Sequence, residues 1–409
     1  MRKKTLLVLA AGPLQLPAIT VGKRLGLRVV AADGDPNAPG LALADVAHVI
    51  DIGDPEVCLR VARAEKVDGV IHICSEVAMA SLALVNSEMG LHGICLGTVV
   101  SATNKEQMRR AFERGGAPSP RSIGVTTDDA ALAAAVGIAG AVIVKPSRNS
   151  GSRGVTHLPA GVEPERVIAA FRRAMAESRD HSALVEEYVE GPEFSVEALV
   201  WDRHIEVLAI TDKLTTGQPF FVEVGHNQPT QLSPHDAGSV RQAAIAGIRA
   251  LALDGCAAHA EIKLSPTGPF IIEIGARLGG DFITTELVPR STGIDMVAGA
   301  IRLALGEEPD LAPTHAPRGV AIRYFQPHPG TVQVVECVDE AMALPGVAVI
   351  DIRVQVGDVV PPITSSLSRV GHVIAEGQDA VEAIAAAERA RDTVRITTAA
   401  PTEEAANGC

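Results

Sequence analysis

Short apolar runs alternate with helical patterns from residue 5 to about residue 100, and this alternation constrains the fold more than any other feature. The runs predict strands at Thr5–Ala10, Arg28–Ala32, Val46–Ile50, Gly69–Ile73 and Gly93–Leu96. Strands that alternate with helices build parallel sheets. We therefore predict an N-terminal parallel α/β domain over residues 1–100. The turn after the first strand lacks the G-x-G-x-x-G pattern, so we assign this domain no cofactor of its own.

The rest of the chain changes to mixed α+β patterns. We predict a small lobe over residues 101–190, a β-rich central lobe over 191–305, a C-terminal β-rich domain over 306–396 and a disordered tail over 397–409. A helix follows Asn104, a strand covers Ala141–Lys145, and the Gly191-Pro192 turn is the expected hinge between the lobes. The predicted fold class is thus α/β combined with α+β.

Composition excludes several kinds of partner. The 36 Lys and Arg residues are outnumbered by 49 Asp and Glu, and aromatic residues make up only 3% of the chain. Such a surface repels phosphate backbones and offers few rings for base stacking, so we expect no nucleic acid partner. The six cysteines form no C-x-x-C pair, which argues against a structural metal. Apolar runs of membrane-spanning length are lacking, so we expect a soluble, cytoplasmic protein without a membrane partner.

A loop rich in glycine, hydroxyl and cationic residues follows the strand that ends at Lys145. Its candidate phosphate contacts are Ser147, Arg148, Ser150, Gly151, Ser152, Arg153 and Gly154. Glycines let backbone N–H groups turn toward an anion, and the cations neutralise its charge. We interpret this loop, with Lys145, as a phosphate site; the alternative is an ordinary polar hairpin.

Two strands, Ala257–Leu264 and Pro269–Gly275, carry Glu261 and Glu273. A turn closed by residues 265–268 would place Glu273 opposite Ala260, whereas a three-residue loop with Gly268 in the left-handed region would pair the two glutamates. The glycine favours the second register. Opposed carboxylates need a cation, and Mg²⁺ bridged to phosphates is the natural one. The alternative is an exposed hairpin face whose acids contact water.

Arg277 follows Glu273 by four residues, in a turn that continues through Gly279, Gly280 and Asp281. A guanidinium there could donate two N–H groups to an acyl-phosphate or to the oxyanion of a tetrahedral intermediate, and the glycines allow close approach of the backbone. A structural ion pair is the alternative for Arg277 taken alone.

These segments, in this order, resemble the ATP-grasp superfamily over nearly the whole chain. The resemblance implies ATP with Mg²⁺, or Mn²⁺ as an alternative, and it implies that Lys105 and Lys145 contact the nucleotide phosphates. The backbone of Glu186, Glu187, Tyr188 and Val189 would read adenine, Glu193 would hold the ribose, and Glu261 and Glu273 would be the metal ligands. Many members have Asn two residues after the second Glu. Gly275 replaces it here, which puts one metal-ligand position in doubt.

Within the superfamily the chain most resembles L-amino acid ligases of the bacilysin dipeptide-synthetase type. Glu223-Val224-Gly225-His226 matches their E-x-x-H segment near the substrates, and Arg277 matches their catalytic arginine. The resemblance makes Glu223, His226 and Arg277 catalytic and substrate-binding candidates, with Gly279, Gly280 and Asp281 around the substrates. Glu223 would anchor an ammonium group, and an acid at position 281 suggests a cationic group on one substrate. The alternative for Glu223 and His226 is a polar loop beside a surface strand.

The expected function is an ATP-dependent ligase that joins an amino acid or other carboxylate to an amine. It would form the amide through an acyl-phosphate and release ADP and phosphate. One rival is a carboxylase-like enzyme that activates bicarbonate as carboxyphosphate, and another is a nucleotide sensor without catalysis. The expected partners are ATP and small carboxylate and amine substrates, and the resemblance is compatible with a homodimer.

Overall fold

The computed structural model describes residues 2–149, 151, 153–218 and 220–399. Its N-terminal part is a parallel sheet in the order β3-β2-β1-β4, flanked by helices. The elements are β1 (Thr5–Leu9), α1 (Leu16–Arg24), β2 (Arg28–Asp33), β3 (Val46–Val49), α2 (Pro55–Glu65), β4 (Gly69–His72), α3 (Met79–Met89) and α4 (Leu96–Thr103). All of β1 is buried, as expected for a parallel strand covered on both faces. The predicted parallel α/β architecture is confirmed.

The strand predicted at Gly93–Leu96 is wrong. Leu96 is the first residue of α4, and Cys95 takes the N-cap position. Gly93 has a φ of 129°, and a Cβ there would lie 2.5 Å from the side-chain nitrogen of Asn86. The short apolar run is therefore a turn entering a helix, a case that periodicity alone cannot separate from a short strand.

The next module is a small lobe with an antiparallel sheet in the order β5-β8-β6-β7. It consists of α5 (Lys105–Gly115), β5 (Ser122–Val125), α6 (Asp128–Gly137), β6 (Val142–Pro146), β7 (Thr156–Leu158), α7 (Pro164–Glu177) and β8 (Ala183–Glu187). Helices α6 and α7 pack on this sheet and close its core. The predicted phosphate loop connects β6 to β7.

The central part of the chain forms one end of an antiparallel sheet. Its elements are β9 (Glu193–Trp201), β10 (His204–Thr215), β11 (Glu223–Gln228), α8 (Pro234–Ala250), β12 (Cys256–Ser265), β13 (Gly268–Gly275), α9 (Val288–Thr292) and α10 (Met296–Ala304). Helix α8 packs on β12 and β13, and these apolar contacts fix the position of the hairpin that carries the two glutamates.

The C-terminal part extends the same sheet. Its elements are β14 (Gly319–Tyr324), β15 (Gly330–Glu336), α11 (Val338–Met342), β16 (Val347–Ile352), β17 (Val359–Val360), β18 (Gly371–Gly377), α12 (Ala380–Thr393) and β19 (Arg395–Ala399). The large sheet runs β13-β12-β9-β10-β11-β14-β18-β16, and β17, β15 and β19 form a separate sheet. The large sheet therefore crosses the predicted domain boundary between residues 305 and 306.

Residues 397–399, predicted to begin a disordered tail, instead belong to β19, because they pair with β15. Residues 400–409 of that predicted tail lie outside the described residues. In the described ranges, no helix is both long enough and apolar enough to cross a bilayer.

Candidate active site

A cleft between the small antiparallel sheet and the large sheet brings most of the predicted site residues together. Those that line it are Lys105, Lys145, Gly151, Arg153, Glu186, Glu187, Tyr188, Val189, Glu193, Glu223, Glu261, Glu273 and Arg277. Of the other described candidates, the lining does not include Ser147, Arg148, Gly154, His226, Gly279, Gly280 or Asp281. Ser150 and Ser152 lie outside the described residues.

Lys105 links the phosphate loop to the predicted metal ligands. Asn104 caps α5 by accepting a hydrogen bond from the Gln107 amide at 2.9 Å, which places Lys105 in the first turn of the helix. Its Nζ donates to the Asn149 carbonyl at 2.8 Å and to Glu273 Oε1 at 2.9 Å. Burial alone would lower the pKa of Lys105, but Glu273 and Glu76 raise it above its ordinary value. Lys105 is therefore a fixed cation in the cleft.

Lys145 belongs to a buried ion cluster centred on Glu186. The Lys145 ammonium lies 2.5 Å from Glu186 Oε2, and Arg109 Nε donates to Glu186 Oε1 at 2.8 Å. Burial alone would raise the pKa of Glu186, but Arg109 and Lys145 lower it to about 2. Arg109 escaped the sequence analysis, although it lies one helical turn after Lys105 and so on the same face of α5.

The phosphate loop divides into residues that face the cleft and residues that hold the loop in place. Gly151 and Arg153 line the cleft. Ser147 is fully buried, and its hydroxyl is hydrogen-bonded to Asp180 and to neighbouring serines. Arg148 lines a separate small cavity beside Glu76. A Cβ at Gly154 would lie 2.9 Å from the Pro146 and Glu177 side chains, so that glycine permits tight packing.

Part of the segment predicted to bind adenine through its backbone already uses its backbone groups for hydrogen bonds within the small sheet. The Glu187 amide donates to the Arg121 carbonyl at 2.9 Å, and the Tyr188 amide donates to the Ala141 carbonyl at 3.0 Å. Val189 follows at the end of the strand, and its carbonyl accepts from Lys263 Nζ at 3.2 Å. Main-chain contact with a base would therefore centre on Val189.

Glu261 and Glu273 are cross-strand neighbours, as the favoured register requires, but the turn that produces this register was predicted wrongly. Ser265 pairs with Gly268, so the hairpin closes in the tighter of the two ways considered. A β-bulge between Glu261 and Ile262 then shifts the pairing by one residue and brings Glu273 opposite Glu261. An extra residue on one strand of a hairpin has this effect on register.

The two carboxylates fit a Mg²⁺ ion that also binds nucleotide phosphates. Both line the cleft, Glu273 beside Lys105 and Glu261 beside Lys213. Among the described residues, no group of three or more Asp, Glu, His or Cys side chains is arranged to hold a metal by itself. Mg²⁺ commonly uses one or two carboxylates and takes its other ligands from phosphates and water. Glu261 and Glu273 would supply those carboxylates.

Gly275 makes room for Arg277. A Cβ at position 275 would lie 3.3 Å from Cγ and Cζ of Arg277, so a larger residue would crowd that side chain. Arg277 Nη1 donates to the Leu278 carbonyl at 3.2 Å. Its buried Nε has no hydrogen-bond partner within the described ranges. Arg277 thus reaches the cleft with donor capacity left for a ligand.

Comparison with known proteins accounts for this arrangement. A model of the ATP-grasp domain matches residues 138–286, and a model of the L-amino acid ligase C-terminal domain 2 matches residues 323–399. Together the two matches cover more than half of the chain. The chain belongs to the ATP-grasp superfamily. It is an ATP-grasp ligase, and enzymes of this superfamily use ATP with Mg²⁺.

The ATP-grasp relatives differ in what their names specify. The chain is 25% identical to the uncharacterized protein y4rH of Sinorhizobium fredii over 77% of this chain, and it spans only 65% of that relative. It is 29% identical to a formate-dependent phosphoribosylglycinamide formyltransferase of Burkholderia thailandensis, over 96% of this chain and 95% of that one. An L-amino acid ligase structure from Bacillus licheniformis superposes with a TM-score of 0.83 at 22% identity, over 98% of this chain and all of that one.

Several residues of this ATP-grasp site escaped the sequence analysis. Lys213 on β10 is held by Glu193, Glu223 and Glu261. Glu76 follows β4, and burial together with Glu273 raises its pKa to about 7. The position of Glu76 just after β4 could have identified it from the sequence, because ligands of parallel sheets bind beyond the carboxyl ends of the strands. Lys213 carried no motif of its own.

Asp281 already has a cationic partner within the protein, which corrects the inference of a cationic substrate group. Arg369 donates to its two carboxylate oxygens at 2.6 and 2.9 Å and lies over the Tyr324 ring at 3.9 Å. His226 Nε2 lies 3.4 Å from Asp281, and His226 is buried on β11. Burial alone would raise the pKa of Asp281, but Arg369 and His226 lower it well below its usual range.

The two glycines of the predicted substrate turn have structural neighbours. A Cβ at Gly279 would lie 2.6 Å from His259 Nδ1 and 3.1 Å from the Glu197 carboxylate. The corresponding atom at Gly280 would lie 3.9 Å from Cys74. Gly279 therefore allows the turn to pack on the His259–Glu197 pair, while position 280 has more room.

Replacing Arg369 by methionine should destabilise the fold by about 2 kcal/mol, because Asp281 loses its bidentate partner while only 21% of its side chain is exposed. The double variant Arg369→Met with Asp281→Leu should recover most of that loss, since no unpaired charge remains. Urea unfolding measures both. A double variant that is no more stable than Arg369→Met would show that charge pairing is not the cause.

Proposed function

We propose that this enzyme is a carboxylate–amine ligase that joins an amino acid, or another carboxylate, to an amine through an acyl-phosphate. The proposal is carried by one observation: Arg277, Glu223 and the Glu261–Glu273 pair line one cleft. An anion-stabilising cation and a carboxylate that can bind an ammonium group are thus close to the nucleotide end. The match to an L-amino acid ligase C-terminal domain supports an amino acid as one substrate.

In the first step, a carboxylate oxygen of the substrate attacks the γ-phosphorus of ATP, and ADP leaves. Lys105, Lys145 and Arg153 would offset negative charge on the phosphates. A Mg²⁺ ion on Glu261 and Glu273 would neutralise phosphate oxygens when bound. Enclosure between the two sheets would protect the acyl-phosphate from hydrolysis by water.

In the second step, the amine attacks the acyl carbon and phosphate leaves. Arg277 would stabilise the oxyanion of the tetrahedral intermediate through charge-assisted hydrogen bonds. Glu223 would bind and orient the amine before attack. The products are an amide, ADP and phosphate, so the atoms of ATP and both substrates balance once the amine has lost a proton.

Two other acids compete with an amino acid as the activated substrate. The 29% identical relative is named for its dependence on formate, which is a carboxylate that the same chemistry could activate. Bicarbonate, the substrate of the carboxylase-like alternative, requires the same phosphate and metal contacts. Activation of an amino acid, of formate or of bicarbonate would in each case cleave ATP. The three possible functions differ in the acid that triggers this cleavage.

Phosphate release from Mg·ATP should therefore be measured against a matrix of amino acids, singly and in pairs, with formate and with bicarbonate. We expect release only with an acid and an amine together, and we expect Glu273→Ala to abolish it because a metal ligand is lost. Release that follows formate or bicarbonate instead would assign the enzyme to one of the alternatives. Release that survives Glu273→Ala would come from a contaminant.

A further inference from the structure

We propose that Lys213 is a positioning residue that couples the nucleotide end of the cleft to the acceptor end. Its one ammonium group holds three carboxylates: Glu193, Glu261 and Glu223. Glu193 and Glu261 belong to the nucleotide and metal end, and Glu223 belongs to the acceptor end of the proposed function, on which this inference rests. Lys213 thus acts through the groups that contact the ligands.

The contacts of the Lys213 ammonium are short, and its side chain is buried. Lys213 Nζ lies 2.7 Å from Glu193, 2.8 Å from Glu261 and 3.3 Å from Glu223, and only 6% of the Lys213 side chain is exposed. Strand β10 lies between β9 and β11 in the large sheet, which places Lys213 opposite Glu193 on one side and opposite His226 on the other. An ammonium has three N–H donors; Lys213 donates to Glu193 and Glu261 and holds Glu223 as an ion pair.

The balance of charge makes the three acids dependent on one another. Three carboxylates around one ammonium leave an excess of negative charge that suits a divalent cation at Glu261. His259 Nε2 lies 3.7 Å from the same Glu261 oxygen, and Glu273 faces Glu261 across the hairpin. If one carboxylate loses its charge, Lys213 pairs more closely with the other two and competes with the ligands that bind them.

Competition for Lys213 sets the direction of the coupling. Neutralising Glu223 strengthens the hold of Lys213 on Glu261 and Glu193, where it competes with Mg²⁺ and with the ribose. A change at the acceptor end should therefore weaken binding at the nucleotide end. Without Lys213 this route is lost, so the same change at Glu223 should have little effect on the nucleotide.

Binding of Mg·ATP, measured by calorimetry without any acceptor, tests the coupling. We expect Glu223→Gln to raise the Kd about threefold to tenfold in the wild-type background and by less than about twofold with Lys213→Met. Lys263→Met is the matched control background. It removes a cation from the same cleft, but Lys263 bonds the Val189 carbonyl, so the effect of Glu223→Gln should persist there.

An unchanged Kd in Glu223→Gln, or an equal increase in the Lys213→Met background, would overturn the proposal. If Lys213→Met does not fold, Lys213→Arg can be used instead because it keeps the positive charge. The comparison of backgrounds is then replaced by a second pair of variants, Glu193→Gln and Glu223→Gln, measured singly and together. Non-additive effects of that pair on the Kd support the coupling, and additive effects refute it. Because the readout needs no acceptor, a failed ligase assay leaves this test intact.

Discussion

Replacing Arg277 by methionine should lower kcat about 10²–10³-fold while leaving the KM for ATP almost unchanged. The expected reason is that the guanidinium contacts charge that develops only when the amine attacks the acyl-phosphate. Arg277 lines the cleft, and its buried Nε lacks a partner within the described part of the chain. The Nε donor can therefore bind a ligand. Steady-state phosphate release with the active acid and amine pair measures the change.

The conservative variant Arg277→Lys separates charge from geometry. A lysine keeps the positive charge but loses the planar fork of N–H donors, so its kcat should fall between those of Arg277→Met and the wild type. A thermal melt of each variant checks that the fold is intact. A raised KM for ATP with unchanged kcat would place Arg277 in nucleotide binding and contradict its role in the second step.

The parts of the site that the sequence predicted are those whose chemistry is local. A loop of glycines and cations after a strand, two glutamates on one hairpin and an arginine four residues later can each be recognised within a short segment. The structure gathers Lys145, Glu261, Glu273 and Arg277 around one cleft. Periodicity also predicted several helices, among them the one that follows Asn104, and many of the strands, because each buries a regular apolar face.

The parts that escaped prediction depend on contacts between distant segments. Arg369 and Asp281 are 88 residues apart. The C-terminal part joins the central one through the pairing of β14 with β11, and β18, which Arg369 precedes, then pairs with β14. Lys213 is a single lysine in a strand, and its three carboxylate partners come from β9, β11 and β12, which only the folded sheet brings around it. The bulge beside Glu261 could not be seen in the sequence either, because it compensates for the tighter turn and so restores the expected pairing.

Replacing Glu186 by glutamine should destabilise the fold by about 3–5 kcal/mol, because it leaves Arg109 and Lys145 buried without their counter-charge. Side-chain exposure is 4% for Glu186 and 6% for each cation, so water cannot compensate. Urea unfolding at neutral pH measures the loss. As a control, Glu88→Gln removes a partner from the exposed pair with Arg63 and should cost less than about 1 kcal/mol.

The pH dependence of the Glu186 variant provides an independent check. The pKa of Glu186 is about 2 in the folded protein, below its ordinary value of 4.5, so the folded state binds this proton more weakly than the unfolded state does. The stability that the carboxylate contributes is therefore complete above about pH 4.5 and is lost as the pH falls toward 2. The difference between wild type and Glu186→Gln should shrink over that window. A difference that stays constant from pH 6 to pH 3 would mean that altered packing, and not the ion cluster, causes the destabilisation.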